Sequence, residues 1–380
     1  MESFSQLLVR ESANVFCSYV PVSVQDSARF SHRGLLLDSS RHFLSVATLK
    51  TMIDTLPMSK FNVLHWHVVD AQSFPFNSAT SSNISMGAYA PQFTYKMEDL
   101  TEVSNYATDR GVRIVFEIDV PGHAASWGKG YPELLSACQQ KYDYNINNWN
   151  LNPSLDETYT VLAGILKDIV SASGAKYLHL GGDEVVYGCW ANDTSIVTFM
   201  QQNDIPTYAD LLSYFVLKAD DIAANLGTTP IHWEDVFIAG VKTPANTIYN
   251  VWTNSTQIAA VTSAGYSVIA APSDYWYLDH AANTWQVMYG YEPTSNLTSA
   301  QAGLIIGGET SMWGEYVDEE NIQSKVWPTA AAVGERLWSP ATTTDINDAL
   351  ARLLVFRCRM TQRKFRASPV QPGYCAVTYV

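Results

Sequence analysis

The chain is short of charge, of paired cysteines and of long apolar runs. Only 16% of its 380 residues are charged, and acids outnumber bases 37 to 23, a formal net charge of −14. With a sequence pI near 4.9, this argues against nucleic acid and other polyanions, which need basic patches. Such acidity suits an acidic lumen, where protonation relieves part of the self-repulsion. None of the five cysteines, Cys17, Cys138, Cys189, Cys358 and Cys375, belongs to a CxxC pair of the zinc or redox kind. Two disulfides with one cysteine left over is the reading. No stretch is apolar for long enough to span a bilayer, and the opening MESFSQLLVRES has no signal-peptide apolar core.

What is abundant is aromatic. Aromatic residues make up 12% of the chain, with 11 Trp and 21 Tyr, which suits a folded protein with an aromatic-lined cleft. Most of these rings are expected to fill core. Four N-x-S/T sequons, at Asn83, Asn192, Asn254 and Asn296, join the cysteines in pointing to a lysosomal or secreted protein.

Length permits one barrel or two smaller domains. Apolar segments with polar ends recur at 32–38, 61–70, 112–119, 176–182, 230–234, 247–252, 267–271 and 303–309. Helical stretches fall between many of them, at 46–56, 97–110, 155–171 and 208–226, and the last is followed by 327–337. Eight βα-like units predict an α/β chain folded as a (β/α)8 barrel over residues 31–380. Residues 1–30 have little pattern and read as the remainder of a preceding domain or a linker. An open doubly wound sheet is the alternative. It normally carries a Gly-rich phosphate turn after its first strand, and HRGLLLDSS is not one.

The predicted strands end in polar and aromatic residues: Arg41 just past the first, then Asp70, Glu117 and Asp119, Asp183 and Glu184, Trp233 and Glu234, Trp252, and Glu309 followed by Trp313 and Glu315. A barrel gathers those ends at one mouth, where barrel active sites lie. The densest stretch is YLHLGGDEVVYGCW, 177–190, an apolar run that stops at two glycines and two adjacent carboxylates. An exposed acidic turn is the bland alternative. Close carboxylates disfavour double ionisation, so one is pushed to stay protonated and can act as an acid. Adjacent strand residues face opposite ways, however, which places Asp183 and Glu184 poorly as the facing pair of an ordinary retaining glycosidase. His123, delivered by the turn Asp119-Val-Pro-Gly, could link Asp70 to Glu184 and tune its protonation. His65-x-His67 with His123 or His179 could bind a metal, but strand histidines hydrogen-bonded in a core are commoner, and neither metal nor cofactor is predicted.

The blocks HRGLLLDSSRHF, KFNVLHWHVVDAQSFP, FEIDVPGHAASWGKG, LHLGGDEVVYGCW, WEDVF, YWYLD, GGETSMWGEYVD and AVGERLW resemble, in order and spacing, the β-N-acetylhexosaminidases of glycoside hydrolase family 20. That resemblance implies an exo-acting, retaining enzyme that removes terminal β-linked N-acetylglucosamine or N-acetylgalactosamine from a glycan or glycoconjugate. The substrate's own 2-acetamido group is the nucleophile, closing to an oxazolinium ion, a division of labour that needs no second facing carboxylate. It implies Glu184 as general acid/base, Asp183 and Tyr277 as partners of the acetamido group, and Trp233, Trp252 and Trp313 as its walls. Arg41, Asp279 and Glu315 would hold sugar hydroxyls, while Asp70 and His123 would stand behind the acid. It also implies the bridges Cys138–Cys189 and Cys358–Cys375, the second clamping the C-terminal tail, and leaves Cys17 unmatched. Ala71 departs from the pattern, since many relatives carry a second Asp there. A small α/β domain usually precedes the barrel in this family, and residues 1–30 are expected to be its remnant. A homodimer is plausible.

Overall fold

The structure is a computed structural model that describes residues 2–11, 13–17, 20–138, 141–375 and 378–379. Near the N-terminus, Leu8–Glu11 (β1) and Asn14–Cys17 (β2) form a hairpin. Thr378–Tyr379 (β11) adds to its free edge, tying the two ends of the chain into one antiparallel sheet.

The remaining strands are His32–Asp38 (β3), Val63–Val69 (β4), Arg113–Ile118 (β5), Tyr177–His179 (β6), Thr229–Trp233 (β7), Ile248–Val251 (β8), Ser267–Ala270 (β9) and Ile305–Met312 (β10). All pair in parallel and close into a barrel in the order β10-β3-β4-β5-β6-β7-β8-β9. Every residue of β3 and β4 is buried, as expected for strands covered by helices outside and by each other within. Alternation sorts their side chains. Leu64, Trp66, Phe116 and Leu178 turn outward into the large core under the helices, whereas Val63, Val115, Ile231, Ile248 and Ile269 form a separate apolar layer inside the barrel.

Helices Val46–Thr55, Met97–Thr108, Asp156–Ser173 and Tyr208–Asn225 cover the barrel where the apolar periodicity predicts them. Ser45 and Thr207 cap two of them, each accepting a backbone N–H from the first turn. The last predicted helix starts later, at Ala330, because Pro328 keeps the preceding Trp327 out of the helical region, at φ −105° and ψ 140°. Ile346–Gln362 is a 17-residue helix that the apolar pattern does not reveal. Its buried face holds only Ala349, Leu353, Arg359 and Met360, so arginine interrupts the stripe. Cys358 on this helix is bonded to Cys375, and Cys138 to Cys189. Cys17 is free.

At the end of β6 the chain makes the turn on which the mouth depends. Gly181 has φ +61° and Gly182 φ +94°. The Gly182 amide donates to Asp119 Oδ1 at 3.0 Å. A Cβ on Gly181 would stand 1.8 Å from that same oxygen, so the close approach that requires glycine is to Asp119. Gly181→Ala combines left-handed strain with this overlap. It is expected to cost on the order of 3 kcal/mol, measured by urea denaturation against the parent chain.

Candidate active site

All eight barrel strands deliver residues to one cavity of about 200 Å³ at their C-terminal ends. Arg41 follows β3, Asp70 β4, His123 β5, and Asp183 and Glu184 β6. Trp233 ends β7 and Trp252 follows β8, while Tyr277 and Asp279 come after β9 and Trp313 and Glu315 after β10.

Asp183 and Glu184 lie beyond the short β6, so strand alternation does not fix their directions. Glu184 takes φ +51°, and the two carboxyls reach opposite environments around His123. Asp183 is 9% exposed, and its Oδ1 has no hydrogen-bond partner. Burial, reinforced by the neighbouring charge of Asp119, holds its carboxyl well above the usual range. Glu184 is far more open, its side chain 57% exposed, with Oε2 3.4 Å from His123 Nε2. That contact with His123 pulls the Glu184 carboxyl down.

His123 also has positive φ, +49°, and its Nδ1 donates to Asp119 Oδ2 at 2.6 Å. Burial disfavours its charge, but the Asp70 and Asp119 carboxylates outweigh burial and hold the ring protonated well above the ordinary histidine range. The sequence reading places Asp70 behind His123, and the structure keeps it there, within 4.8 Å of the ring and the largest charge acting on it. The hydrogen bond from Nδ1 goes to Asp119, because the turn Val120-Pro121-Gly122 folds His123 back onto it. Asp70 stays within the field of His123 but spends its hydrogen bonds elsewhere. Its Oδ2 meets Arg41 Nη2 at 2.9 Å and His67 Nε2 at 2.8 Å, and its Oδ1 accepts the Ala71 amide. Burial opposes ionisation of Asp70, yet Arg41 and His123 bring the carboxyl down to about 2.

Arg41 is held on three sides. Nη1 donates to Asp38 Oδ2 at 3.1 Å, Nη2 pairs with Asp70, and Nε donates to Gln72 Oε1 at 2.9 Å. Gln72 is itself anchored, its Nε2 donating to Asn147 Oδ1 at 2.9 Å on the loop that the Cys138–Cys189 bridge fastens. The guanidinium lies 5.2 Å from the centre of the Trp313 ring and, with three of five N–H donors engaged, keeps two for a ligand. Asp279 and Glu315 share this side of the cavity, and burial pushes both carboxyls up.

The walls are aromatic. Trp252 and Tyr277 stack with centroids 6.3 Å apart, Trp313 packs against Tyr277 at 6.3 Å, and Trp233 against Trp313 at 6.2 Å. Burial keeps the Tyr277 hydroxyl protonated and therefore a donor. Trp252 Nε1 donates to Asp235 Oδ2 at 2.8 Å, and Asp235 Oδ1 accepts the Glu184 amide at 3.3 Å. Asp38, Gln72, Asp119 and Asp235 thus shape the site without having been assigned a role from the sequence. Asp235 sits inside the WEDVF block, and the acid next to Glu234 was the available signal.

The sequons lie apart from the cavity. Asn83 and Asn296 are exposed, whereas Asn192 donates to Gly188 O at 2.8 Å and Asn254 Oδ1 accepts the Thr256 amide at 3.0 Å. No helix among the described residues is long and apolar enough to cross a membrane.

Residues 30–341 match glycosyl hydrolase family 20, catalytic domain. The beta-hexosaminidase subunit beta of Homo sapiens is 41% identical over 384 residues, which cover 99% of this chain and 68% of that protein. The Flavobacterium johnsoniae chitobiase is similar in structure, with a TM-score of 0.83 at 28% identity over 93% of this chain and 55% of that one. The exo β-N-acetylglucosaminidase of Vibrio harveyi, solved in complex with N-acetylglucosamine, gives 0.83 at 26% identity over 93% and 61%. The chain therefore spans somewhat more than half the length of these two bacterial structures. A closed eight-stranded barrel, a buried acid beside an open one, and a match to most of the chain lead to one conclusion: the protein belongs to glycosyl hydrolase family 20.

Proposed function

We propose that the protein is an exo-β-N-acetylhexosaminidase that releases terminal β-linked N-acetylglucosamine or N-acetylgalactosamine with retention. The observation that carries this reading is the unpartnered Oδ1 of Asp183, buried within a small cavity walled by tryptophans. A buried acceptor without a donor is costly, and the acetamido N–H of the sugar supplies one.

In this reading the acetamido group lies between Asp183 and Tyr277. Tyr277 donates to its oxygen and Asp183 accepts from its nitrogen, so the oxygen is aimed at the anomeric carbon at high effective concentration. Glu184 gives its proton to the leaving oxygen and later takes one from water. Before substrate arrives the proton favours Asp183, since that carboxyl is held up and Glu184 is held down. Binding reverses the preference: an N–H bond to Asp183 stabilises its anion, and a sugar covering Glu184 desolvates it. Arg41 grips ring hydroxyls with its two remaining donors, and Asp279 and Glu315 accept from others. A cavity of only about 200 Å³ suits a single sugar better than a length of chain, which fits exo action.

Two disulfides and exposed sequons support a lysosomal or secreted location. Tyr89, Tyr144 and Tyr316, exposed on loops at the mouth, support a homodimer formed beside it.

Release of nitrophenol from the β-N-acetylglucosaminide and galactosaminide tests the reading. Glu184→Gln is expected to lose on the order of 10²–10⁴-fold in kcat, with folding checked by circular dichroism; a folded parent without turnover on either substrate would sink the proposal. His123→Asn removes the cation that lowers both Glu184 and Asp183. Both carboxyls then rise, and both limbs of the kcat/KM profile are expected to move to higher pH by about one unit.

A further inference from the structure

Barrel interiors are ordinarily filled by layers of branched apolar side chains. One such layer is present, yet the space between it and the cavity is ionic. His32 Nε2 lies 2.6 Å from Glu309 Oε1, and Glu309 Oε2 lies 2.9 Å from His65 Nδ1. His65 Nε2 makes an ion-pair contact with Glu117 Oε2 at 3.0 Å, without the alignment of a hydrogen bond. His67 Nδ1 donates to Glu117 Oε2 at 2.5 Å, and its Nε2 to Asp70 Oδ2 at 2.8 Å. The column ends on Arg41.

Well-packed apolar residues fold at least as well as buried ion pairs, so stability alone does not account for this column. Its contacts at the cavity do. Glu117 is fully buried at the centre, and its Oε1 accepts the Trp233 indole N–H at 2.8 Å. Trp233 is a cavity wall that is itself only 1% exposed. The other oxygen of Glu117 holds His67, and through it Asp70. One carboxylate thereby fixes the plane of the wall and braces the arginine clamp.

We propose that Glu117 is a positioning residue for the reaction, holding the Trp233 indole so that the wall presses the acetamido group into its attacking geometry. The inference rests on the hexosaminidase reading and deepens it. Glu117 touches neither substrate nor reacting atoms; it acts through Trp233. Burial disfavours its charge, but His67 and His179 hold the carboxyl well below the usual range, so at working pH it is a full-strength acceptor for the indole.

Binding, rather than turnover alone, separates positioning from a general loss of folded protein. The parent chain, Glu117→Met and Glu117→Gln are titrated calorimetrically with N-acetylglucosamine and with a bicyclic thiazoline analogue of the cyclised intermediate. Glu117→Met is expected to weaken the analogue by roughly ten- to hundredfold and N-acetylglucosamine by no more than about threefold, since Arg41 keeps Asp38 and Gln72. Glu117→Gln, whose amide oxygen still accepts the indole N–H, is expected to regain most of the analogue's affinity. Equal losses for the two ligands, or a folded Gln variant no better than Met, would overturn the proposal. Should Glu117→Met not fold, Trp233→Phe, which cuts the indole from the column while keeping an aromatic wall, carries the same comparison. A parent that binds the analogue no better than the sugar would overturn the functional reading, and this inference with it.

Discussion

The mouth of this barrel depends on where the Asp119 carboxylate sits. One oxygen receives the Gly182 amide and the other the His123 ring, so a single side chain at the end of β5 joins the turn after β6 to the ring that draws the Glu184 carboxyl down. The geometry leaves no room for a Cβ at Gly181. It also places a negative charge beside Asp183, which helps to keep that carboxyl protonated. Backbone form, ring orientation and proton affinity at this corner share one cause.

The same economy of contacts governs the interior. Charges taken out of water cost several kcal/mol each unless paired in good geometry, and here the pairing alternates in sign from Arg41 through Asp70, His67, Glu117 and His65 to Glu309. Burial disfavours the charge on His65, but Glu309 and Glu117 raise it to about 9. Burial likewise disfavours the Glu309 anion, and His65 and His32 bring its carboxyl well below the usual range. Each group stays ionised because its neighbours are. Such a column is rigid for the reason that it is expensive to disturb, and rigidity is what the pocket needs from the floor beneath it.

The barrel was legible because parallel strands buried on both faces are written as apolar runs, and the site because its residues stand where those runs stop. Arg41, Asp183, Trp252 and Glu315 are found that way, by position alone. Partnerships were harder to read. Asp70 and Asp119 both end strands next to His123, and nothing in the local pattern states which of them the turn brings to its Nδ1. Gln72 bonds to Asn147 across 75 residues, a contact that no periodicity encodes. The pairing of β1 with β11 joins opposite ends of the chain, and the helix Ile346–Gln362 hides because arginine occupies part of its buried face. His65 and His67 invite a metal reading from spacing; in the fold the rings lie against Glu117 on β5, Glu309 on β10 and Asp70 at the end of β4. The donor group that forms is His65 with Glu117 and His179, whose atoms lie within 4.8 Å of one another, rather than His65 with His67.

The two adjacent carboxyls are pushed in opposite directions. Asp183 faces inward, where burial and Asp119 favour its neutral form, while the positive φ of Glu184 carries the next carboxyl out to His123 and toward water. Enzymes assign acid and base roles by pushing paired titratable groups apart in this manner. A chain that needed two acids across a sugar would have to draw them from distant strands and hold the spacing between them. Substrate assistance removes that demand. One turn then suffices, provided that its first acid is buried deeply enough to await an amide and its second stays open enough to meet a leaving oxygen.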